Sequence, residues 1–155
     1  MFDEEPADAA IDPAEIRLAA MNLLARREHS VWELRRKLKR RYKNDAVLEE
    51  QLNRLAEQNL QSDTRFAESY VKQRVSRGYG PLRLQEELHQ RGVSRSTITL
   101  TIDALEIDWC AHAIEVMQIK FGALPTQEIK EKARRARFML HRGFCSDHYQ
   151  HLLQD

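Results

Sequence analysis

Three sets of side chains in this chain have types and spacings that invite chemistry. Cys145, His148 and His151 fall three residues apart, with His141 just upstream. Thiolate and imidazole are zinc ligands, but the series matches none of the standard structural-zinc spacings. Asp63 has the carboxylate of a general base, yet no second acid or nucleophile lies near it in sequence, and capping the helix that follows is the better account. No Ser-His-Asp logic, no HExxH and no phosphate-binding P-loop occurs anywhere in the chain. No catalytic residue, no metal and no cofactor is therefore expected, and the protein reads as a non-enzyme.

The third set is cationic. The formal net charge of +1 hides strong segregation along 155 residues. Residues 1–16 hold six acids and no Lys or Arg, whereas residues 26–43 carry +7, residues 64–95 carry +4 and residues 118–142 carry +5. The first block contains Arg35, Arg36, Lys37, Lys39, Arg40, Arg41 and Lys43. The second contains Lys72, Arg74, Arg77 and Arg83, and the third Arg134, Arg135 and Arg137. One such run is usually a solvated helix face. Three of them at recurring places fit contact with a phosphate backbone, the commonest source of sequence-independent affinity for nucleic acid. Trp32, Tyr42 and Tyr79 could stack on bases, although aromatics near helix corners more often serve packing. Arg74 stands apart because its repeat partners are Leu24 and Met117. A cation at a core-facing position needs acceptors for its donors. It either ties two helices together, through carbonyls or a carboxylate such as Glu87, or is a shielded cation offered to a partner's phosphate or carboxylate.

The elements that position these groups read as helices. Five Gly, four Pro and 32% charged residues favour a helix-rich soluble protein over a β-sandwich. No apolar run approaches the roughly 20 residues that span a bilayer. The acidic N-terminus lacks the basic start of a secretory signal. Two cysteines give no disulfide framework, which points to a reducing cytoplasm. At an offset of 50, Ile16, Met21, Leu34, Leu38, Leu48, Leu52 and Leu55 match Phe66, Val71, Leu84, Leu88, Ile98, Ile102 and Leu105. A third copy begins near Trp109 and ends with Gly92 matching Gly143 and Ile102 matching Leu153, its extra residues lying near Phe121–Ile129. Such periodicity marks stacked supersecondary units. The expected helices are 13–27, 31–42 and 45–59, then 64–77, 81–91 and 95–107, then 109–121, 127–142 and 146–153. Residues 96–102 alternate like a strand, but their repeat partner is plainly helical, so packing is expected to override local preference. The fold expected is an all-α, elongated tandem array of three three-helix repeats, 13–60, 61–107 and 108–155, behind an acidic tail at 1–12.

Between the first two helices of the second repeat lies the corner Gly78-Tyr79-Gly80-Pro81. Gly78 suits the left-handed residue that ends a helix. Gly80 can cap the next helix, Pro81 fits its first turn, and Gly92 stops it. With Asp63, Phe66, Ala67, Tyr70, Val71, Arg74 and Leu88, these residues closely resemble the central motif of the RecX family, small regulators of the RecA recombinase. The resemblance extends more loosely from about residue 14 to the C-terminus. It implies a cytoplasmic regulator in homologous recombination, DNA repair and the SOS response. Such a regulator enters the groove of RecA–DNA filaments and restrains recombinase and co-protease activity. It also implies affinity for single- and double-stranded DNA without sequence preference, and action as a monomer. The rival reading is a helix-turn-helix transcriptional regulator, with the third helix of each unit as reader. Those helices are the least basic parts: 45–59 has Arg54 as its only base and 101–107 has none.

Overall fold

The computed structural model describes residues 11–154. Most of the acidic tail, residues 1–10, lies outside them. Among the described residues the chain is all-α, with no strand. The order is α1 (Pro13–Arg26), α2 (Val31–Lys39), α3 (Asp45–Glu57), α4 (Asp63–Ser76), α5 (Pro81–Gln90), α6 (Arg95–Ala104), α7 (Trp109–Phe121), α8 (Ile129–Arg142) and α9 (Ser146–Tyr149), closed by a 3-10 turn over Gln150–Leu152. The chain divides into two compact units, one through Phe66 and one from Ala67, with the division inside α4.

In the first unit, α1 and α2 both pack on α3. Ile16 and Ala20 meet Leu34 and Leu38 and the α3 row Leu48, Leu52, Leu55, and Tyr42 completes the core. These residues recur at helical spacing, so one face of each helix leaves water while its charges stay outside. In the second unit, α5 packs on α6, with Leu84, Leu88, Ile98 and Ile102 buried. A further core joins Ala113, Val116 and Met117 of α7 to Met139, Phe144 and Tyr149.

Side-chain caps mark most helix starts. Asp12 accepts the Ala14 N–H at 2.9 Å, Ser94 the Thr97 N–H at 3.2 Å and Asp108 the Ala111 N–H at 3.0 Å. Ser30 and Glu33 form a reciprocal capping box. Asp63 does something other than cap its own helix. The Ser62 hydroxyl accepts from Arg65 N–H at 3.2 Å, while Asp63 Oδ1 accepts the Val31 N–H at 3.0 Å and Gln61 Nε2 at 2.9 Å. Gln61 Nε2 also donates to His29 O at 3.2 Å. The carboxylate thus closes the first turn of α2, which lies 32 residues upstream.

Several element limits differ from expectation, the third helix ending at Glu57 instead of 59 and the sixth at Ala104 instead of 107. The second helix ends at Lys39 instead of 42, although the Arg41 and Tyr42 N–H groups still donate to Leu38 O at 3.1 and 2.9 Å and Tyr42 is buried. The eighth starts at Ile129, and the last segment breaks into a four-residue helix and a 3-10 turn. So short a piece cannot propagate far. The strand-like run is helical: Ile98, Thr101 and Ile102 are its buried residues, at i, i+3 and i+4.

At the corner, Gly78 takes φ +88°. Its N–H donates to Val75 O at 2.9 Å and that of Tyr79 to Arg74 O at 3.2 Å. Gly80 is constrained by its neighbours. Its N–H donates to Arg142 O at 2.7 Å and that of Leu82 to Gly143 O at 2.9 Å. A Cβ on Gly80 would lie 2.6 Å from the Gly143 carbonyl. The start of α5 is therefore fastened to the end of α8 through backbone.

Candidate partner and nucleic-acid interface

On α2, Leu34 and Leu38 face the core, so the bases at the remaining positions face outward. Arg35 is tied to Glu49 by two bonds, with Nη2 3.1 Å from Oε2. That hydrogen-bonded pairing lowers the Glu49 carboxyl below its usual value. Arg36 lies over Trp32, 5.1 Å from the ring centroid, and Arg41 over Tyr42 at 5.4 Å. Lys37 donates to Nε2 of buried His29 at 2.9 Å. The other ring nitrogen, Nδ1, donates to Arg27 O at 3.0 Å. This arrangement defines a neutral imidazole whose tautomer is set by its partners. Burial lowers its pKa. Lys39, Arg40 and Lys43 are exposed. They form no ion pair among the described residues.

In the second block, Arg74 and Arg83 fold inward instead. Arg74 holds Glu87 in a fork, Nε to Oε2 at 3.0 Å and Nη2 to Oε1 at 2.7 Å. Glu87 also accepts the Tyr70 hydroxyl at 2.6 Å and Arg83 Nε at 3.0 Å. Burial alone would raise the Glu87 carboxyl, but these donors outweigh it and hold the group below its usual value. Burial and the same carboxylate push the Tyr70 phenol up to about 12. Three guanidinium groups surround the Tyr79 ring: Arg74 at 3.8 Å, Arg83 at 4.5 Å and Arg142 at 4.8 Å. Arg142 Nη1 also donates to Arg77 O at 3.0 Å, and Arg91 lies 4.8 Å from the Tyr70 centroid. Of the two roles open to Arg74, the geometry supplies the helix tie. Lys72 and the Arg77 side chain are exposed.

The third block divides. Arg135 is buried, with Nη1 donating to Leu124 O at 3.0 Å and Nε to Glu131 at 3.2 Å, so it anchors the connection before α8. Arg134 is exposed and paired with Glu131 at 3.0 Å, and Arg137 is exposed. Cys145 Sγ lies 3.4 Å from His148 Nδ1, while His141 and His151 are exposed.

Sequence reasoning passed over Arg91 and Arg142. A signal for both exists. At the offset that pairs Gly92 with Gly143, Arg91 pairs with Arg142, each just before a helix-ending glycine. Each lies over a tyrosine in the structure.

Helical modules whose cations are either displayed on a helix face or gathered around one carboxylate define an all-α protein among the described residues. Residues 17–55 match the family model for the first three-helix domain of RecX, and residues 62–101 that for the second. Among relatives, the regulatory protein RecX of Pseudomonas entomophila (strain L48) is 43% identical over 141 residues, covering 91% of each chain. That of Pseudomonas savastanoi pv. phaseolicola (strain 1448A / Race 6) is 44% identical over 142 residues, again 91% of each. The crystal structure of RecX from Lactobacillus salivarius superposes with a TM-score of 0.77 at 19% identity, over 92% of this chain and 94% of that one. The chain belongs to the RecX family.

Proposed function

We propose that this chain regulates the RecA recombinase by binding RecA–DNA filaments along their groove, inhibiting or modulating recombinase and co-protease activity. Membership of a family whose members are named regulatory proteins carries the reading. The family resemblance of the Asp63–Gly92 motif points to RecA as the partner. Accessory, sequence-independent contact with single- and double-stranded DNA comes from the displayed bases: Arg36, Lys39, Arg40, Arg41 and Lys43 in the first block, Lys72 and Arg77 in the second, Arg134 and Arg137 in the third. Arg35, Arg74, Arg83 and Arg135 act as positioning residues, because their guanidinium groups are already engaged with Glu49, Glu87 and Glu131. The modules at 13–60, 61–107 and 108–155 work as successive contact units of a cytoplasmic monomer. An operator reader is disfavoured by the outward residues of the third helices. Those of α3 include Asp45, Glu50 and Glu57, and those of α6 include Thr99, Leu100 and Asp103.

The test is co-sedimentation with RecA filaments assembled on single-stranded DNA, beside naked DNA, together with strand exchange. The expected result is filament association and reduced strand exchange. Selection of a tight consensus duplex site, with strand exchange unaffected, overturns the proposal.

A further inference from the structure

Within the second unit a groove of about 420 Å³ runs between the C-terminal end of α4, α7 and α8. Its volume falls within the range of binding clefts, and it is open to solvent along one side. Val75, Val116, Ile119 and Phe138 contribute its apolar lining. Ile119 is 79% exposed, an apolar side chain at the groove's edge with little of its surface covered. Arg77, Lys120 and Arg142 also line the groove, against Glu115 as the one acid.

We infer that this groove receives an acidic peptide segment of a protein partner, seating one bulky apolar side chain against Ile119 and Val116 with carboxylates beside Arg77, Lys120 and Arg142. The charge balance of the lining selects an anion. The floor selects an apolar side chain over a nucleobase. Bases bind single-strand sites by stacking on open aromatic faces, whereas the aromatic faces here are already engaged. Phe138 lines the groove with Lys120 and Arg142 at 5.4 and 5.0 Å from its ring centroid and Phe121 standing T-shaped to it at 5.3 Å. Arg142 is also held in place by its bond to Arg77 O at 3.0 Å, so part of the anion-binding edge is preorganised. The inference is independent of the filament reading, since any partner with such a segment fits.

The experiment titrates the full chain into a panel of short fluorescein-labelled peptides of Asp, Glu and Ser with Leu, Phe, Met or Ala at the centre, read by anisotropy. An oligothymidylate of matched charge is run beside them. At least one apolar-centred peptide is expected to bind, and its Ala counterpart to bind about tenfold more weakly, as loss of one buried apolar side chain implies. Ile119→Asp should weaken that peptide comparably while leaving oligothymidylate binding and the melting curve unchanged, because the side chain is exposed. Lys120→Glu should weaken the peptide and flatten its salt dependence. Four results overturn the inference: no peptide in the panel binds; apolar and Ala peptides bind equally; Ile119→Asp leaves peptide binding intact; or Ile119→Asp abolishes oligothymidylate binding, which makes the groove a nucleic-acid site.

Discussion

The first two basic blocks, +7 and +4, end up in different arrangements in the two units. In the first, α2 and the residues after it display Arg36, Lys39, Arg40, Arg41 and Lys43 to solvent. In the second, Arg74 and Arg83 converge on Glu87, and Arg142 joins them around Tyr79. The difference lies less in the number of cations than in one carboxylate and one phenol placed where several helices meet. Arg74 and Glu87 side chains are 17% and 16% exposed, against 38% and 41% for Arg35 and Glu49. The inner pair is weakly screened and positions other groups; the outer pair is a surface ion pair of modest worth. Cations in a sequence therefore indicate contact only once their acceptors are known.

The largest effect expected tests the scaffold of the inner cluster. Gly80→Ala puts a Cβ 2.6 Å from the Gly143 carbonyl and 2.7 Å from Phe144 N, all backbone atoms with little room to yield. The two backbone bonds that fasten α5 to the end of α8 would open. A loss of about 3 kcal/mol or more is expected, at the upper end for single substitutions. Chemical denaturation checks this, and a variant as stable as the parent breaks the claim that the corner is held by close backbone approach.

The next prediction sets the two ion pairs side by side. Glu87→Gln removes the charge that faces Arg74 and Arg83 and weakens the Tyr70 bond, and should cost about 2–3 kcal/mol. Glu49→Gln should cost within about 1 kcal/mol, because both partners are well hydrated. Arg74→Ala should lower the melting temperature as Glu87→Gln does. Equal losses for Glu87→Gln and Glu49→Gln would erase the contrast between the units.

The all-α class was legible because the signals that carry it are local. Asp12, Ser30, Ser94 and Asp108 cap with their own side chains, and apolar spacing marks each inward face. The strand-like stretch at 96–102 was legible as helix only through its repeat partner, since tertiary burial of Ile98 and Ile102 overrides β-branched preference. What escaped depends on contacts far along the chain. Asp63 looks like a cap for its own helix and instead caps α2. Gly80 looks like a conformational choice, yet its constraint is Gly143, 63 positions later. Arg135 and Arg137 are neighbours of one type in one run, yet one is buried against Leu124 O and the other exposed. Sequence periodicity assigns a face to each, but not the acceptor that consumes it.

The displayed bases give the third prediction. Replacing Arg36, Lys39, Arg40 and Lys43 together by Gln should leave stability within about 1 kcal/mol, since none holds an ion pair among the described residues. DNA affinity should fall for every sequence tested. The salt dependence on single strands should flatten by about 0.7 in log–log slope for each phosphate that the variant no longer neutralises. If instead the stability loss matches that of Glu87→Gln, these bases are structural and the two blocks are alike.

Acidification sharpens the contrast by pH window. His29 keeps its imidazole neutral in the fold because burial lowers its pKa from 6.5, and Lys37 needs the Nε2 lone pair as its acceptor. Between the lowered value and 6.5 the unfolded chain binds more protons than the folded one, so stability rises with pH. His29 therefore contributes fully above 6.5, and the contribution is lost as pH falls through the folded value. The slope is at most about 1.4 kcal/mol per pH unit for one group. Glu33 lies close by and favours the charged ring, while Arg27 and Lys37 oppose it. His112 in the second unit, also lowered by burial, has the same sign. Glu87, lowered from 4.5, contributes above that value and is lost only in stronger acid. Melting should thus decline in two stages, first below 6.5 and then below 4.5. His29→Gln should flatten part of the first stage and leave the second in place, whereas Glu87→Gln should do the reverse. Melting curves from neutral pH downward decide it: if His29→Gln has the same pH slope as the parent below 6.5, His29 is not a proton-linked strut of the first unit.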